Sequence, residues 1–462
     1  ESFRLGYICG LSHFLSALYW IHYVIQHYGG LPTLLAVGAL FLVAAYLAVY
    51  PALFAWAANR LEETPALWTL ALPSVWVALE LVRAYALSGF PWANLGYSQT
   101  PVLPLVQTAD VAGVYGVSWL VVFGNTVLWS VMTRKRGAFA ALLFGGCFAL
   151  CFAYGQQRLK TIAELQEKAS PWRVAVVQGN IDQSQKWDPA FQQETLRRYR
   201  DLSLQAVGQD SPPDLLVWPE TATPFFYGVD EKLSRQVNEI LAEVGRPVIF
   251  GSPAITRVDG VPKLQNRAYL VTPDGTIAGA YAKQHLVPFG EYVPFQKLLF
   301  FIHRLVEAAG DFVPGTSSAP IGLGKKPLGV LICYEAVFPE LARETALAGA
   351  EVLVNITNDA WYGRTSAPYQ HMEMAGWRAV ECRVPLVRAA NTGISTVFDA
   401  AGRMCGALPL FETGQLTCTV RPFRLVTTYM RYGDWFAGSC SAVAVAALAF
   451  AFLRGRRKGI ED

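Results

Sequence analysis

Long apolar stretches fill the first third of the chain and recur once near its end. A helix that crosses a lipid bilayer needs about 20 consecutive, mostly apolar residues. Stretches of this kind lie at residues 5–28, 31–58, 66–87, 113–132, 138–154 and 435–453. The pattern predicts a membrane α-helical bundle with about five spans in residues 1–155 and a C-terminal transmembrane helix in residues 433–454.

Two short basic clusters indicate how these spans are oriented. Residues 134–136 read Arg-Lys-Arg, and residues 454–458 carry four more basic side chains. Short cytoplasmic loops of membrane proteins carry an excess of Lys and Arg. We therefore expect both clusters in the cytoplasm, with residues 156–432 and the loop at residues 90–99 on the opposite side of the membrane.

The long segment before the last span has a different pattern, in which short apolar runs alternate with amphipathic stretches. Runs typical of buried strands occur at residues 173–177, 214–218, 247–250, 328–333, 351–355 and 385–389. Amphipathic helical stretches at residues 192–207 and 231–244 lie between some of them. Asp and Gly at their turns indicate two hairpins, at residues 268–282 and 394–405. The pattern predicts one α/β domain with a mixed sheet in residues 171–424.

Composition narrows the possible classes of function. Of the 462 residues, 53% are hydrophobic and only 16% are charged, which is typical of a protein that lies partly in lipid. The formal net charge of +3 is too small to indicate a nucleic-acid partner. The eight cysteines show no CxxC pair or other metal-binding spacing, so we expect neither a metal site nor a cofactor.

Cys333 stands where the apolar run at residues 328–333 meets a helical pattern. A strand-to-helix turn presents a side chain at the edge of a sheet, beside backbone N–H groups. A buried structural cysteine would give the same local pattern. Two more residues favour catalysis, because Glu220 follows the second strand and Lys283 follows the first hairpin. A carboxylate can accept the thiol proton, and an ammonium can stabilise both a thiolate and an oxyanion.

The motifs around these residues carry a resemblance. Three segments resemble the Glu-Lys-Cys signature of the nitrilase superfamily: Trp218-Pro219-Glu220, residues 283–291 and Cys333-Tyr334-Glu335. Over essentially its whole length it resembles the membrane-embedded branch of that superfamily, the apolipoprotein N-acyltransferase family. Further similarity lies in residues 89–99, 183–188 and 358–363. The resemblance implies an α/β nitrilase-like domain, a mixed-sheet α-β-β-α sandwich, after the membrane helices.

The same resemblance implies roles for individual residues. Cys333 matches the nucleophile, Glu220 the general base and Lys283 the residue that holds the oxyanion. The backbone N–H of Tyr334 would be the second oxyanion donor. Further positions that match residues important to the family's activity are Glu291, Tyr334 and Glu335, and we expect Glu291 and Glu335 to orient Lys283 and the base.

Apolar side chains near these motifs predict where acyl chains would enter. Residues 295–305 form an apolar arm with Phe300 and Phe301, which we expect to lie in the membrane interface as a lid. Trp361 follows the strand at residues 351–355, and Trp187 matches a position of the family near the substrate entrance. We therefore expect these four aromatic residues to contact substrate.

The resemblance also implies a reaction and a location. The enzyme would move the sn-1 acyl chain of a phospholipid to Cys333 as a thioester, and then to the N-terminal amine of a diacylglyceryl-cysteine lipoprotein. It would be a multi-pass protein of the bacterial inner membrane with its catalytic domain on the periplasmic side. Members of the family usually have more spans than are counted here, so we expect N-terminal spans to be missing from this sequence.

Two other functions fit some of the same features. A membrane-anchored nitrilase-type amidase would use Glu220, Lys283 and Cys333 with water as the second nucleophile, but a small soluble amide needs no scaffold of several spans. A non-enzymatic membrane scaffold with a relic domain would have no need of these three residues. Whether Cys382, Cys405 and Cys418 form a disulfide stays open at this point.

Overall fold

The computed structural model describes residues 1–62, 65–133, 137–292, 312–324 and 326–461. The apolar arm predicted at residues 295–305, with Phe300 and Phe301, lies outside the described residues. The chain separates into two compact units. The helical unit comprises Glu1–His22, Pro32–Thr161 and Thr427–Asp462, and the α/β unit comprises Tyr23–Leu31 and Ile162–Val426.

Helices account for most of the chain outside the central sheets. In chain order they are α1 (Ser2–Ala17), α2 (Trp20–His27), α3 (Thr33–Leu61), α4 (Pro65–Tyr85), α5 (Leu103–Val106), α6 (Ala109–Thr133), α7 (Gly137–Lys168), α8 (Pro189–Val207), α9 (Glu231–Val244), α10 (Pro339–Leu347), α11 (Ala367–Cys382), α12 (Thr428–Tyr432) and α13 (Trp435–Glu461).

The long apolar helices identify a membrane protein. Within the described ranges, five helices are long and apolar enough to cross a bilayer: α3, α4, α6, α7 and α13. The pair α1 and α2 passes the same test together, with a bend of 54° between its members. These helices lie on the apolar stretches from which the spans are predicted.

Small residues let α1 and α3 pack closely in the helical unit. A Cβ atom at Gly6 would lie 2.7 Å from the carbonyl oxygen of Pro51 and 2.9 Å from the Cα atom of Ala52. Only glycine leaves room for this approach. Close contact between backbones is how helices associate in lipid, where apolar burial gives no driving force.

Two charged side chains of α4 are buried in the helical unit. Glu80 accepts hydrogen bonds from the indole of Trp76 at 2.9 Å and from the backbone N–H of Leu95 at 2.7 Å. Arg83 donates to the side-chain oxygen of Asn94 at 2.6 Å. The charges therefore hold the loop after α4 against that helix, which offsets the cost of charge in a membrane span.

The α/β unit contains two six-stranded sheets within the described residues. The strands are β1 (Trp172–Gln178), β2 (Leu215–Val217), β3 (Val248–Val258), β4 (Val261–Val271), β5 (Ile277–Ala282), β6 (Ile321–Leu323), β7 (Lys326–Ile332), β8 (Val352–Thr357), β9 (Leu386–Ala390), β10 (Ser395–Phe398), β11 (Met404–Leu408) and β12 (Gly414–Val420).

Both sheets are mixed, as predicted. The first sheet has the order β12-β1-β2-β3-β4-β5, and the second has the order β11-β10-β9-β8-β7-β6. In the first, β1, β2 and β3 run parallel, while β4, β5 and β12 pair antiparallel with their neighbours. In the second, β7, β8 and β9 run parallel, and β6, β10 and β11 are antiparallel. Parallel strands in this arrangement place their carboxyl ends at one edge of each sheet.

The two sheets pack face to face around one core. Val176 and Val217 of the first sheet share an apolar cluster with Val330 and Val354 of the second. The outer face of the first sheet is covered by α8 and α9. On the second sheet, Gly329 of β7 lies so close to Thr345 of α10 that a Cβ atom would be 2.1 Å from the threonine methyl group. The layers therefore form the α-β-β-α sandwich implied by the resemblance.

One disulfide joins the edges of the two sheets. Cys405 in β11, the edge strand of the second sheet, is bonded to Cys418 in β12, the edge strand of the first. Cys333 and Cys382 are both buried and carry free thiols. Of Cys382, Cys405 and Cys418, the last two form the disulfide, and Cys333 keeps its thiol.

Candidate active site

Three strand ends bring the predicted catalytic residues together. Glu220 follows β2 and Lys283 follows β5 in the first sheet, whereas Cys333 follows β7 in the second. Open α/β sheets place their sites beyond the carboxyl ends of strands. The three side chains lie in the interior of the unit, since Glu220, Lys283 and Cys333 are only 7%, 2% and 6% exposed.

Lys283 lies between two carboxylates. Its Nζ atom is 2.9 Å from Oε2 of Glu291 and 3.6 Å from Oε1 of Glu220. Burial alone would lower the pKa of Lys283, but the charges of Glu291 and Glu220 outweigh it and raise that pKa above its ordinary value. Lys283 is therefore a cation at neutral pH.

The carboxylate of Glu220 is held on both oxygens. Asn266 donates its side-chain amide to Oε1 at 2.7 Å, and the backbone N–H of Asn358 donates to Oε2 at 3.0 Å. The same amide group of Asn266 lies 3.1 Å from Oε1 of Glu291, so one side chain bridges the two carboxylates. The chain around Glu220 also packs tightly, because a Cβ atom at Gly251 would lie 2.7 Å from the Glu220 Cα atom.

A second lysine lies beside this group. Lys186 is 2% exposed and donates to the backbone carbonyl of Glu220 at 3.1 Å. Burial lowers the pKa of Lys186 to about 8, although the charge of Glu220 acts in the opposite direction. The pKa of Lys186 is therefore shifted in the opposite direction to that of Lys283.

Cys333 occupies a strained turn. Its φ angle is +53°, in the left-handed region that side chains other than glycine seldom adopt. Burial, and next the negative charge of Glu220, raise the pKa of the Cys333 thiol to about 12 against the opposing charge of Lys283. The resting side chain is therefore a protonated thiol.

Both the helical N-terminal part of the chain and its α/β part match known protein families. Residues 1–127 match the family model of the apolipoprotein N-acyltransferase N-terminal domain, and residues 173–427 match that of carbon-nitrogen hydrolase. The apolipoprotein N-acyltransferase of Geobacter metallireducens is 44% identical, over 100% of this chain and 88% of that protein. The chain belongs to the apolipoprotein N-acyltransferase family. It is an enzyme of the nitrilase superfamily.

Further relatives lie at lower identity. The apolipoprotein N-acyltransferase of Methylococcus capsulatus is 36% identical over 98% of this chain and 87% of that protein. Among solved structures, a mutant of the Nesterenkonia AN1 amidase of the nitrilase superfamily is 23% identical, with a TM-score of 0.41, and the match covers 56% of this chain and 93% of that one.

Glu335 links the two sides of the site in this family member. Its carboxylate accepts from the backbone N–H of Ile332 at 2.6 Å on one side, and from those of Gln284 and His285 at 2.6 and 3.1 Å on the other. Burial raises the pKa of Glu335 to about 7, although these N–H groups favour the ionised form. Glu335 therefore ties the turn of Cys333 to the segment that follows Lys283.

The remaining predicted residues lie in different settings. Tyr334 is buried and packs edge-to-face on Phe338, with ring centroids 4.9 Å apart. Trp361 packs edge-to-face on Tyr28 at 4.9 Å. Trp187 is 48% exposed, one residue after the buried Lys186. For Phe300 and Phe301 the described ranges give no position.

Sequence reasoning missed a buried polar group beneath Cys333 in this N-acyltransferase family member. Asp359 accepts from Arg388 at 2.6 Å, and its other oxygen lies 3.0 Å from Nδ1 of His371. Arg388 and His371 together outweigh burial and lower the pKa of Asp359 to about 2. Asp359 belongs to a quoted motif, but His371 and Arg388 lie inside a helix and a strand with no local signal of a site.

The chemistry available at the site rests on these side chains. In the described parts of the chain, no group of three or more His, Cys, Asp and Glu side chains is arranged to hold a metal ion. The arrangement offers a thiol, a carboxyl group and a fixed ammonium, which together suit attack on a carbonyl carbon.

Proposed function

We propose that this protein transfers the sn-1 acyl chain of a phospholipid to the N-terminal amine of a diacylated apolipoprotein, through a thioester on Cys333. The observation that carries the proposal is the convergence of Cys333, Glu220 and Lys283 in one buried group. Relatives aligned over the full chain bear the name apolipoprotein N-acyltransferase, which supports the choice of acceptor.

In the first half-reaction Glu220 takes the thiol proton, and the Cys333 sulfur attacks the ester carbonyl of the phospholipid. The oxygen of the tetrahedral intermediate becomes negative, and Lys283 and the backbone N–H of Tyr334 stabilise it. The C–O bond then breaks, the leaving oxygen takes the proton from Glu220, and lysophospholipid departs. The acyl group remains on Cys333 as a thioester.

In the second half-reaction the amine of the lipoprotein attacks the thioester. Glu220 accepts a proton from the attacking nitrogen, because only the neutral amine is nucleophilic and the amide product must lose a proton. The C–N bond forms, the C–S bond breaks, and the proton returns to the sulfur. The enzyme regains its thiol and ionised carboxylate, so each cycle begins in the same state.

The membrane location follows from the substrates. Each acyl chain contributes about 0.8 kcal/mol per buried CH₂ group, so neither substrate leaves the bilayer readily. We place the spans within residues 1–155 and 433–454 in the bacterial inner membrane, with residues 171–424 on the periplasmic side. The basic residues at 134–136 support this orientation.

We assign Trp187, Phe300, Phe301 and Trp361 to the substrate entrance, with Glu291, Tyr334 and Glu335 supporting the catalytic groups. Trp361 lies three residues beyond Asn358, whose N–H binds Glu220. Partial exposure of Trp187 beside the buried Lys186 supports its place at an opening. No cofactor takes part in the proposed reaction.

The test is intact-mass spectrometry of the purified protein after incubation with phospholipid alone, with Cys333→Ala as the control. We expect one added fatty-acyl mass that is absent from the variant. Addition of a diacylated lipopeptide should then remove the adduct and yield the N-acylated peptide. Hydrolysis of a small amide without any phospholipid adduct would instead establish the amidase.

A further inference from the structure

A closed set of hydrogen-bonding contacts lies directly beneath Cys333. His371 Nε2 is 3.1 Å from the Cys333 carbonyl oxygen, and Asn355 Nδ2 donates to the same oxygen at 3.4 Å. The Asn355 side-chain oxygen accepts from Nη1 of Arg388, whose Nη2 lies 3.2 Å from His371 Nδ1. We call these four residues the Cys333 ring.

The Cys333 ring is an expensive arrangement for a protein core. His371, Arg388 and Asn355 are each 0% exposed, and Asp359, which balances the charge of Arg388, is 1% exposed. Buried charges lose hydration, and well-packed apolar side chains of similar volume are often at least as stable. Stability alone therefore gives no reason to place this group here.

The geometry of one peptide bond gives such a reason. A trans peptide is planar, and its C=O and N–H point in opposite directions. The carbonyl of Cys333 and the N–H of Tyr334 belong to the same peptide. A carbonyl oxygen only accepts, so this contact is a hydrogen bond in the form of His371 that carries a proton on Nε2. The direction in which His371 and Asn355 hold the carbonyl therefore fixes the direction of the Tyr334 N–H.

We infer that His371 is a positioning residue, which aims the Tyr334 N–H at the oxyanion by holding the Cys333 carbonyl on the opposite side of the peptide plane. The inference rests on the proposed function, because it gives the Tyr334 N–H a part in stabilising the tetrahedral intermediate. Cys333, at φ = +53°, is the first residue of the short 3-10 helix Cys333–Val337, so its peptide lies where β7 gives way to that turn. Two side-chain donors on its carbonyl add a restraint at this boundary.

Two substitutions of equal polarity separate this role from a merely structural one. The amide nitrogen of His371→Gln can occupy the place of Nε2 and donate to the Cys333 carbonyl. In His371→Asn the amide nitrogen reaches only the place of Nδ1, towards Asp359. The two variants therefore differ in the hydrogen bond from residue 371 to the Cys333 carbonyl, which only the glutamine can keep.

The experiment measures two reactions of Cys333 in the full chain. Acylation by p-nitrophenyl hexanoate passes through an oxyanion, and its rate is measured from the burst of nitrophenolate. Alkylation by iodoacetamide forms no oxyanion intermediate, and its rate is measured by mass spectrometry of the Cys333 peptide. We expect His371→Asn to slow acylation by about 10- to 100-fold, with alkylation within about twofold of wild type and with His371→Gln retaining most of the acylation rate.

Other outcomes would overturn the inference. Equal acylation by His371→Asn and wild type would do so, as would a parallel loss of both reactions. Asn355→Ala, which removes the second donor to the same carbonyl, gives an independent measurement if His371→Asn does not fold; it should also slow acylation selectively. Wild-type protein that reacts with the nitrophenyl ester but not with phospholipid would remove the proposed function and leave this result standing.

Discussion

Lys283 is bound more closely to Glu291 than to Glu220. Its ammonium lies 2.9 and 3.0 Å from the two oxygens of Glu291, against 3.6 Å for the nearest contact with Glu220. Glu291 therefore anchors the cation, which leaves Glu220 for the proton transfer that we propose. Two carboxylates beside one ammonium thus have separate tasks.

Glu291→Gln should reduce acylation while leaving Cys333 in place. The amide cannot balance the charge of Lys283, so the pKa of Lys283 should fall and its ammonium should be held less firmly. We expect the acylation rate to fall by about 10- to 100-fold, comparable with the loss of part of an oxyanion site. The burst of nitrophenolate measures it. Glu291→Asp keeps the charge and should recover part of the rate; equal losses in the two variants would assign the effect to side-chain length.

The thiol of Cys333 should respond in opposite directions to loss of its two charged neighbours. The charge of Glu220 raises the pKa of Cys333, and the charge of Lys283 lowers it. Below its pKa, a thiol reacts with iodoacetamide in proportion to its thiolate fraction. Glu220→Gln should therefore raise the alkylation rate at pH 8, and Lys283→Met should lower it.

The alkylation experiment has a built-in control. Cys333→Ala gives the background from the other free cysteines, and the Cys333 peptide is quantified separately. A slower alkylation of Glu220→Gln would contradict the prediction, because it would mean that Glu220 already holds the thiol proton in the resting enzyme. Both variants should lose acylation, which needs the base and the ammonium together.

The local sequence was sufficient to predict the strands that carry the catalytic residues. The run at residues 328–333 corresponds to β7, and the hairpin at residues 268–282 corresponds to β4 and β5. A residue that can take part in catalysis follows each of these strands. The carboxyl ends of parallel strands lie at the same edge of a sheet, so such residues are brought together. The long β3–β4 hairpin was missed although Asp259-Gly260 lies at its turn.

Partners distant in sequence could not be predicted in this way. β1 pairs with β12, more than two hundred residues later, and this pairing depends on the whole unit. His371 and Arg388 are polar residues in a helix and a strand, where solvent exposure would be the ordinary expectation. Their burial and their contact with the Cys333 turn become visible only when the sheets and α11 are packed.

Tyr28 should contribute to the order of the turn that contains Trp361. Its hydroxyl donates to the carbonyl of Ala360 at 2.8 Å. Asn358, which holds Glu220, lies two residues earlier. A typical hydrogen bond contributes about 0.5–1.5 kcal/mol, so Tyr28→Phe should slow acylation by about two- to tenfold while keeping the ring on Trp361. Tyr46→Phe removes a hydroxyl from α3 and is the matched control. An unchanged rate in Tyr28→Phe would show that the turn is held without this bond.

The disulfide should stabilise the α/β unit without serving catalysis. Closing the loop between Cys405 and Cys418, 13 residues apart, is expected to contribute about 2–4 kcal/mol. Cys405→Ser with Cys418→Ser should therefore lower the midpoint of thermal unfolding in detergent. Acylation at 25 °C should persist, and Cys9→Ser, which removes an exposed free thiol, should change neither property. Loss of acylation in the folded double variant would connect the sheet edges to the site.

The division of the catalytic group between two sheets makes activity a reporter of their docking. Glu220 and Lys283 come from one sheet and Cys333 from the other, so neither half of the sandwich is a partial enzyme. A small slide of one sheet over the other would separate the thiol from its base while every strand stayed paired. On heating, the acylation activity should therefore be lost at a lower temperature than the circular dichroism signal of the strands. The enzyme would then be inactive while its secondary structure is still present.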